Sequence, residues 1–70
     1  MRRTPVSSSN LASVGYDAAS QTLEIEFNHG GIYRYFDVPK GEYQALMSAS
    51  SHGSYFVHEI KDSYSYDQIR

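Results

Sequence analysis

Two strand-like runs joined by glycines set the frame of this chain. Thr22-Leu23-Glu24-Ile25-Glu26-Phe27-Asn28 alternates apolar with polar residues, His29-Gly30-Gly31 breaks the run, and Ile32-Tyr33-Arg34-Tyr35-Phe36-Asp37-Val38 follows before Pro39. Alternation with period two marks a half-buried strand, and glycine supplies the positive φ of a tight turn. The second run holds the aromatic and β-branched residues that favour strands, and proline, lacking a ladder donor, ends it. A β-hairpin is therefore expected, and its register decides which side chains reach the core, because a slip of one residue inverts every face.

A two-residue turn at His29-Gly30 would set Ile25 opposite Arg34 and place a guanidinium on the apolar face, at a cost unless it is paired. A three-residue loop, Asn28-His29-Gly30 with Gly30 left-handed and a bulge, sets Ile25 opposite Tyr33, Leu23 opposite Tyr35 and Glu24 opposite Arg34. The second register is preferred. It turns both tyrosine rings to the core and makes a Glu24–Arg34 pair worth roughly 0.2–1 kcal/mol on the wet face. Phe36 is then left on that face or at its rim.

The remaining segments arrange themselves about this hairpin. Residues 1–8, with Pro5 and Ser7-Ser8, read as a flexible or edge-lying leader. Ala12, Val14 and Tyr16 can share one face of a preceding strand, and Asp17-Ala18-Ala19-Ser20-Gln21 supplies a hairpin loop. After Pro39, Tyr43, Leu46 and Met47 keep helical spacing with Glu42 near the positive end of the helix dipole. The polar run Ser48-Ala49-Ser50-Ser51-His52-Gly53 breaks that helix, and Ser51 caps a second, short one carrying Tyr55, Phe56 and Ile60. Alternating tyrosine and serine over Tyr64-Ser65-Tyr66 fits an extended segment laid on the body, with residues 67–70 as a tail.

The expected architecture is α+β: a three-stranded antiparallel β-meander over residues 10–17, 22–28 and 31–38, covered on one face by two short helices at 40–49 and 52–61. The expected core is Val14, Tyr16, Leu23, Ile25, Phe27, Tyr33, Tyr35, Tyr43, Leu46, Met47, Phe56 and Ile60. Seventy residues hold one domain, here 9–66, and bury only about 60% of the surface the unfolded chain exposes.

Composition narrows the function. Cysteine is absent, which excludes disulfides and thiolate metal ligands and suits a reducing compartment. No stretch has the length and apolarity of a membrane span or a secretory signal, so a soluble, cytoplasmic protein is expected with no membrane partner. A net charge of −2 gives no general attraction to phosphate, so nucleic-acid binding requires a local patch.

Candidate chemistry is sparse. His29 sits in a turn and His52 and His58 are six apart, a spacing that does not align two metal ligands on one helix face, so no metal or cofactor is expected. Ser7-Ser8-Ser9 with a distant histidine and Asp37 lacks any nucleophile motif. Glu24 and Glu26 share a strand face beside Arg34 and read as solvated carboxylates rather than an acid–base pair. Tyr33 and Tyr35 could stack on unpaired bases, as aromatic rows on RNA-binding sheets do, but the chosen register aims them at the helices. The groups more available to a partner are Arg34, Phe36, Lys40 and Lys61, with Arg2 and Arg3.

The order of Ser8-Ser9, Val14-Gly15-Tyr16-Asp17, Leu23 with Phe27, Gly31, Tyr33-Arg34-Tyr35, Val38-Pro39, Ser51-His52-Gly53-Ser54-Tyr55-Phe56 and Ile60 resembles the KTSC domain family. That family is named after a lysyl-tRNA synthetase C-terminal module and also occurs as small stand-alone bacterial proteins. The resemblance spans about residues 7–66, and Gly31, Tyr33, Tyr35 and Pro39 carry its central motif. It implies a small domain of unestablished function with no catalytic residues, so not an enzyme, for which RNA binding has been suggested. Two activities are expected to compete: weak RNA binding, and protein interaction through a sheet edge or the exposed sheet face.

Overall fold

The computed structural model describes all 70 residues, 1–70. Five antiparallel strands lie in one sheet in chain order: β1 (Arg3–Pro5), β2 (Leu11–Asp17), β3 (Thr22–Phe27), β4 (Ile32–Tyr35) and β5 (Tyr66–Gln68). Between β4 and β5 run α1 (Lys40–Ser48) and α2 (His52–Tyr55), and α2 continues directly into a π-helical turn, Phe56–Ile60. The α+β architecture with helices against one sheet face is as expected; the strand count is five, not three. Each extra strand comes from a segment read as leader or tail. Arg3–Pro5 pairs with Gly15–Ser13 of β2, and Tyr66–Gln68 pairs with Tyr35–Tyr33 of β4, because both outer strands of the meander offered unpaired backbone groups.

The central hairpin has the preferred register: Leu23 opposite Tyr35, Glu24 opposite Arg34 and Ile25 opposite Tyr33. Its loop closes as a three-residue turn with a bulge. The Gly30 N–H donates to the Phe27 carbonyl at 2.9 Å, the Phe27 N–H donates to the Gly31 carbonyl at 2.9 Å, and Gly30 takes φ +104°, a conformation that favours glycine.

Leu11, Val14, Leu23, Ile25, Tyr35, Val38, Leu46, Phe56 and Ile60 form the buried core, with Tyr16, Phe27, Tyr33, Tyr43 and Met47 packed partly buried against it. Leu11 and Val38 were absent from the expected core, and each enters through a local irregularity. A bulge between Leu11 and Ser13 adds one residue to β2, so Leu11 falls on the face of Val14 rather than opposite it. Asp37 adopts a left-handed φ of 58°, which breaks the alternation after β4 and turns Val38 inward. There the Val38 carbonyl accepts the Tyr16 hydroxyl at 2.5 Å, and Tyr16 stacks on Tyr43 at 4.7 Å.

Pro39 caps α1, its carbonyl accepting the Glu42 N–H at 3.0 Å, and Ser51 caps α2, its hydroxyl accepting the Ser54 N–H at 3.2 Å. The second helix was expected as one α-helix to residue 61. It widens at Phe56, whose carbonyl accepts the Lys61 N–H five residues on, and Phe56 and Ile60 are both buried on the widened turn. No helix is long and apolar enough to cross a membrane.

Candidate functional site

Six rings converge where β3, β4 and β5 meet the π-helical turn. Phe27 stands edge-on to Tyr33 and to Phe56, each at 5.4 Å between centroids, and His29 stacks flat on Phe27 at 5.6 Å. Tyr35 meets Phe56 edge-on at 5.4 Å, and Tyr66 of β5 lies tilted against Tyr33 at 5.7 Å and Tyr35 at 5.5 Å. These rings do not close over one another. They floor an open cleft of about 580 Å³, within the range of small-ligand sites. Ser9, Asn10 and Asn28 line one end of it, and Lys61 and Asp62, just past the π-helical turn, line the other.

The backbone holds each wall in place. At the polar end the Asn28 N–H donates to the Asn10 carbonyl at 2.9 Å, and the Asn28 side-chain amide donates to the Ser8 carbonyl at 2.9 Å. The Ser8 hydroxyl accepts the N–H groups of Asn10 and Leu11, and this loop presses on the buried Gly53, where a Cβ would lie 3.2 Å from both Ser8 Oγ and Asn10 Nδ2. Gly31 serves His29 in the same way. Its N–H donates to His29 Nδ1 at 3.2 Å, and a Cβ on it would sit 2.6 Å from His29 Cε1. At the far side Glu42 accepts the hydroxyls of both Tyr55 and Tyr64, tying α1 to α2 and to the segment leading into β5. The hydrogen bond to the Glu42 carboxylate and then burial push the Tyr55 hydroxyl up to about 12.

Tyr35 occupies a special place here. Its ring is buried, 4% exposed, yet its hydroxyl makes no hydrogen bond within the chain, and no buried side-chain polar atom is left without a partner. The hydroxyl must therefore reach solvent, and the cleft that Tyr35 lines is where it does so. Burial first, then Tyr66, Tyr33 and Asp62, push this hydroxyl up to about 12, so it is a neutral donor at every ordinary pH.

The opposite sheet face differs from the wet surface expected of it. Glu24 is buried, 3% exposed, between two arginines that reach over it from opposite sides of β3: Arg3 of β1, and Arg34 of β4 at 2.9 Å. Ser13 completes the network, accepting from Arg3 Nε at 3.1 Å and donating to Glu26 at 2.8 Å. The expectation missed this because β1 was read as a leader, so the arm that covers Glu24 was not in view. Burial by itself would raise the Glu24 pKa. Hydrogen bonds from Arg34 and then Arg3 outweigh it and hold the carboxyl below the usual range.

A carboxyl with a lower pKa folded than unfolded contributes its stability in full above the ordinary value near 4.5 and loses it as pH falls through the depressed folded value. Glu24→Gln should thus cost about 1–2 kcal/mol at neutral pH, the low end for a charge-assisted bond because Arg34 is half exposed. The gap between variant and parent should narrow as pH falls below the ordinary carboxyl value near 4.5. Thermal melts above and below that value check this, and a gap that stays constant across them counts against the ion network.

The four candidate surface residues do not meet in one patch. Arg34 and Phe36 share a shallow cleft on the Glu24 face with Arg2, while Lys61 lines the aromatic cleft on the helix side, and Lys40 lines neither. Tyr33, aimed at the core by the register, is only partly buried, and one side of it faces the cleft. Asn10, Asp62 and Tyr66 are not among the residues the sequence singles out, and His29 is considered there only as a metal ligand; only the tertiary fold brings these separate stretches together. His52 and His58 are held locally, each Nδ1 donating to a backbone carbonyl, Leu46 at 2.9 Å and Ser54 at 2.8 Å.

The sequence model of the KTSC domain matches residues 7–64. The chain belongs to the KTSC domain family. It is 46% identical over 61 residues to an uncharacterised protein of Stutzerimonas stutzeri, covering 87% of this chain and 86% of that one. It is also 41% identical over 54 residues to a lysine–tRNA ligase of Trichormus variabilis, where 77% of this chain corresponds to only 10% of the ligase. A crystal structure of a KTSC domain protein from Yersinia pestis superposes with a TM-score of 0.96 at 42% identity, covering 99% of this chain and 97% of that one. Of the residues that carry the resemblance, Ser9, Phe27, Tyr33, Tyr35 and Phe56 line the aromatic cleft, whereas Gly15, Tyr16, Val38 and Pro39 do not.

Proposed function

We propose that this KTSC domain is a non-catalytic, single-stranded RNA-binding module that seats an unpaired base in the aromatic cleft. The observation that carries the reading is the arrangement of partly open rings, Tyr33, Tyr66 and His29, with Lys61 at the rim. Base–aromatic stacking is worth about 1–3 kcal/mol per base and needs no favourable net charge on the whole protein. Lys61 enters no ion pair within the chain and is free to meet a phosphate. The occurrence of the domain within lysine–tRNA ligases supports an RNA partner, and a cytoplasmic location suits both that and the absence of cysteine.

Docking of a protein through a sheet edge is the weaker reading. Both edge strands are three residues long, and β1 ends in proline, features that blunt strand addition. The Arg34 face is likewise charged rather than apolar, its guanidinium committed to Glu24.

Fluorescence anisotropy with a short labelled single strand tests the proposal. With Lys61 the main phosphate contact, the salt slope should be about −0.7, so affinity drops only about threefold between 50 and 200 mM salt. Tyr66→Ala, which truncates a ring 55% exposed, should weaken binding at least about fivefold while leaving the fold intact. No binding at 50 mM salt overturns the proposal. A slope of about −1.4 with Tyr66→Ala silent overturns the cleft as the site and moves binding to Arg2 and Arg34.

A further inference from the structure

Within that RNA-binding reading, on which this inference rests, we infer that the cleft selects its base: Tyr35 and Asp62 read the Watson–Crick edge of an amino-bearing base, so that cytosine is accepted over uracil. The starting point is the Tyr35 hydroxyl. The Tyr35 ring is 4% exposed and its hydroxyl has no partner in the chain, yet no buried side-chain polar atom is left unpartnered, so this oxygen keeps access to solvent in the cleft, where an entering group can take the place of water. Three of the tyrosines packed on the core have partners for their hydroxyls: Tyr16 in the Val38 carbonyl, and Tyr55 and Tyr64 in Glu42. Tyr35, like Tyr33 and Tyr43, has none, and of these three it is the one whose ring is buried.

The second group is Asp62. It lines the same cleft, is exposed there, and forms no ion pair with its neighbour Lys61 or any other cation. The cleft thus presents a neutral O–H donor and a carboxylate acceptor among the groups that line it, above an aromatic floor. Cytosine offers the complement, an N4 amino group to donate to the carboxylate and a ring N3 to accept from the phenol. Carboxylates accept from cytosine N4 in base readout generally. Uracil has the same size and stacking face but inverts this edge. Its O4 carbonyl would face the carboxylate with two acceptors opposed, which forfeits the hydrogen bond that cytosine makes there.

Short fluorescein-labelled oligo(C) and oligo(U) separate the inference from the reading beneath it, since the two strands differ little in backbone charge and base size. Anisotropy at 50 mM salt should show oligo(C) bound about five- to one-hundredfold more tightly than oligo(U) by the parent domain. Asp62→Asn, whose amide can donate as well as accept, should bring the ratio close to one, mainly by improving oligo(U). Tyr35→Phe keeps the buried ring and should weaken oligo(C) while leaving oligo(U) nearly unchanged. Equal affinities for the two strands, or a preference for oligo(U), overturn the inference and leave base stacking in the cleft standing. A preference for oligo(C) that survives Asp62→Asn and Tyr35→Phe overturns the assignment to these two residues. Failure of both strands to bind overturns the RNA-binding reading and this inference with it.

Discussion

Tyr35→Ala should be among the most destabilising single substitutions in the domain. The ring it removes is 4% exposed, meets Phe56 edge-on, and fills the junction between β4 and the π-helical turn. Truncating a buried aromatic costs about 3–5 kcal/mol, counting both the lost transfer energy and the cavity left behind. A domain of 70 residues has roughly 4–10 kcal/mol in total, so the loss consumes from about a third to all of it. At about 4–8 °C per kcal/mol, the melting temperature should fall by at least about 12 °C. Tyr35→Phe is the matched control. Because the hydroxyl makes no bond within the chain, its removal should shift the melt by only a few degrees. An alanine variant that melts within about 2 °C of the parent would place the ring at the surface and sink the account of the core given above.

Phe56→Ala should be comparably severe, about 3–5 kcal/mol, because Phe56 joins the two halves of the core. It is 3% exposed and stands edge-on to Phe27 of β3 and to Tyr35 of β4, both at 5.4 Å. Phe56 also begins the π-helical turn, so its loss removes the side chain that seats that turn on the sheet. Circular dichroism melts of Phe56→Ala should show the loss directly. Phe56→Leu and Tyr35→Leu are gentler, and a double-mutant cycle on them should return a coupling of about 0.5–1.5 kcal/mol for the edge-on pair. A coupling of zero would mean that the rings occupy one core without interacting.

The hairpin and its register could be read from residues 22–38 because the deciding forces there are local. Alternation at Leu23, Ile25 and Phe27 fixes one face, Gly30 supplies the left-handed turn residue, and burying Arg34 would be penalised in the competing register. The caps at Pro39 and Ser51 were legible for the same reason, since a cap is a contact between residues three or four apart. The family, too, was carried by an ordered set of such local signals and is matched over residues 7–64.

What escaped the sequence was long-range. Arg3–Pro5 and Tyr66–Gln68 carry no alternation strong enough to mark them as strands, and they become strands because β2 and β4 offered unpaired edges in the folded sheet. Glu24 looked solvated although the hairpin register already paired it with Arg34, because Arg3 lies 21 residues away and reaches over it only once β1 joins the sheet. Leu11 and Val38 entered the core through a bulge and a left-handed Asp37, single-residue shifts that invert a face without changing composition. The aromatic cleft is the sum of these effects. The sequence determined that Tyr33 and Tyr35 pack on one face of a hairpin, whereas tertiary structure decided that Tyr66, Asn10, Lys61 and Asp62 surround them. A site of that kind is assembled from four separate stretches whose spacing along the chain says nothing of their distance in space.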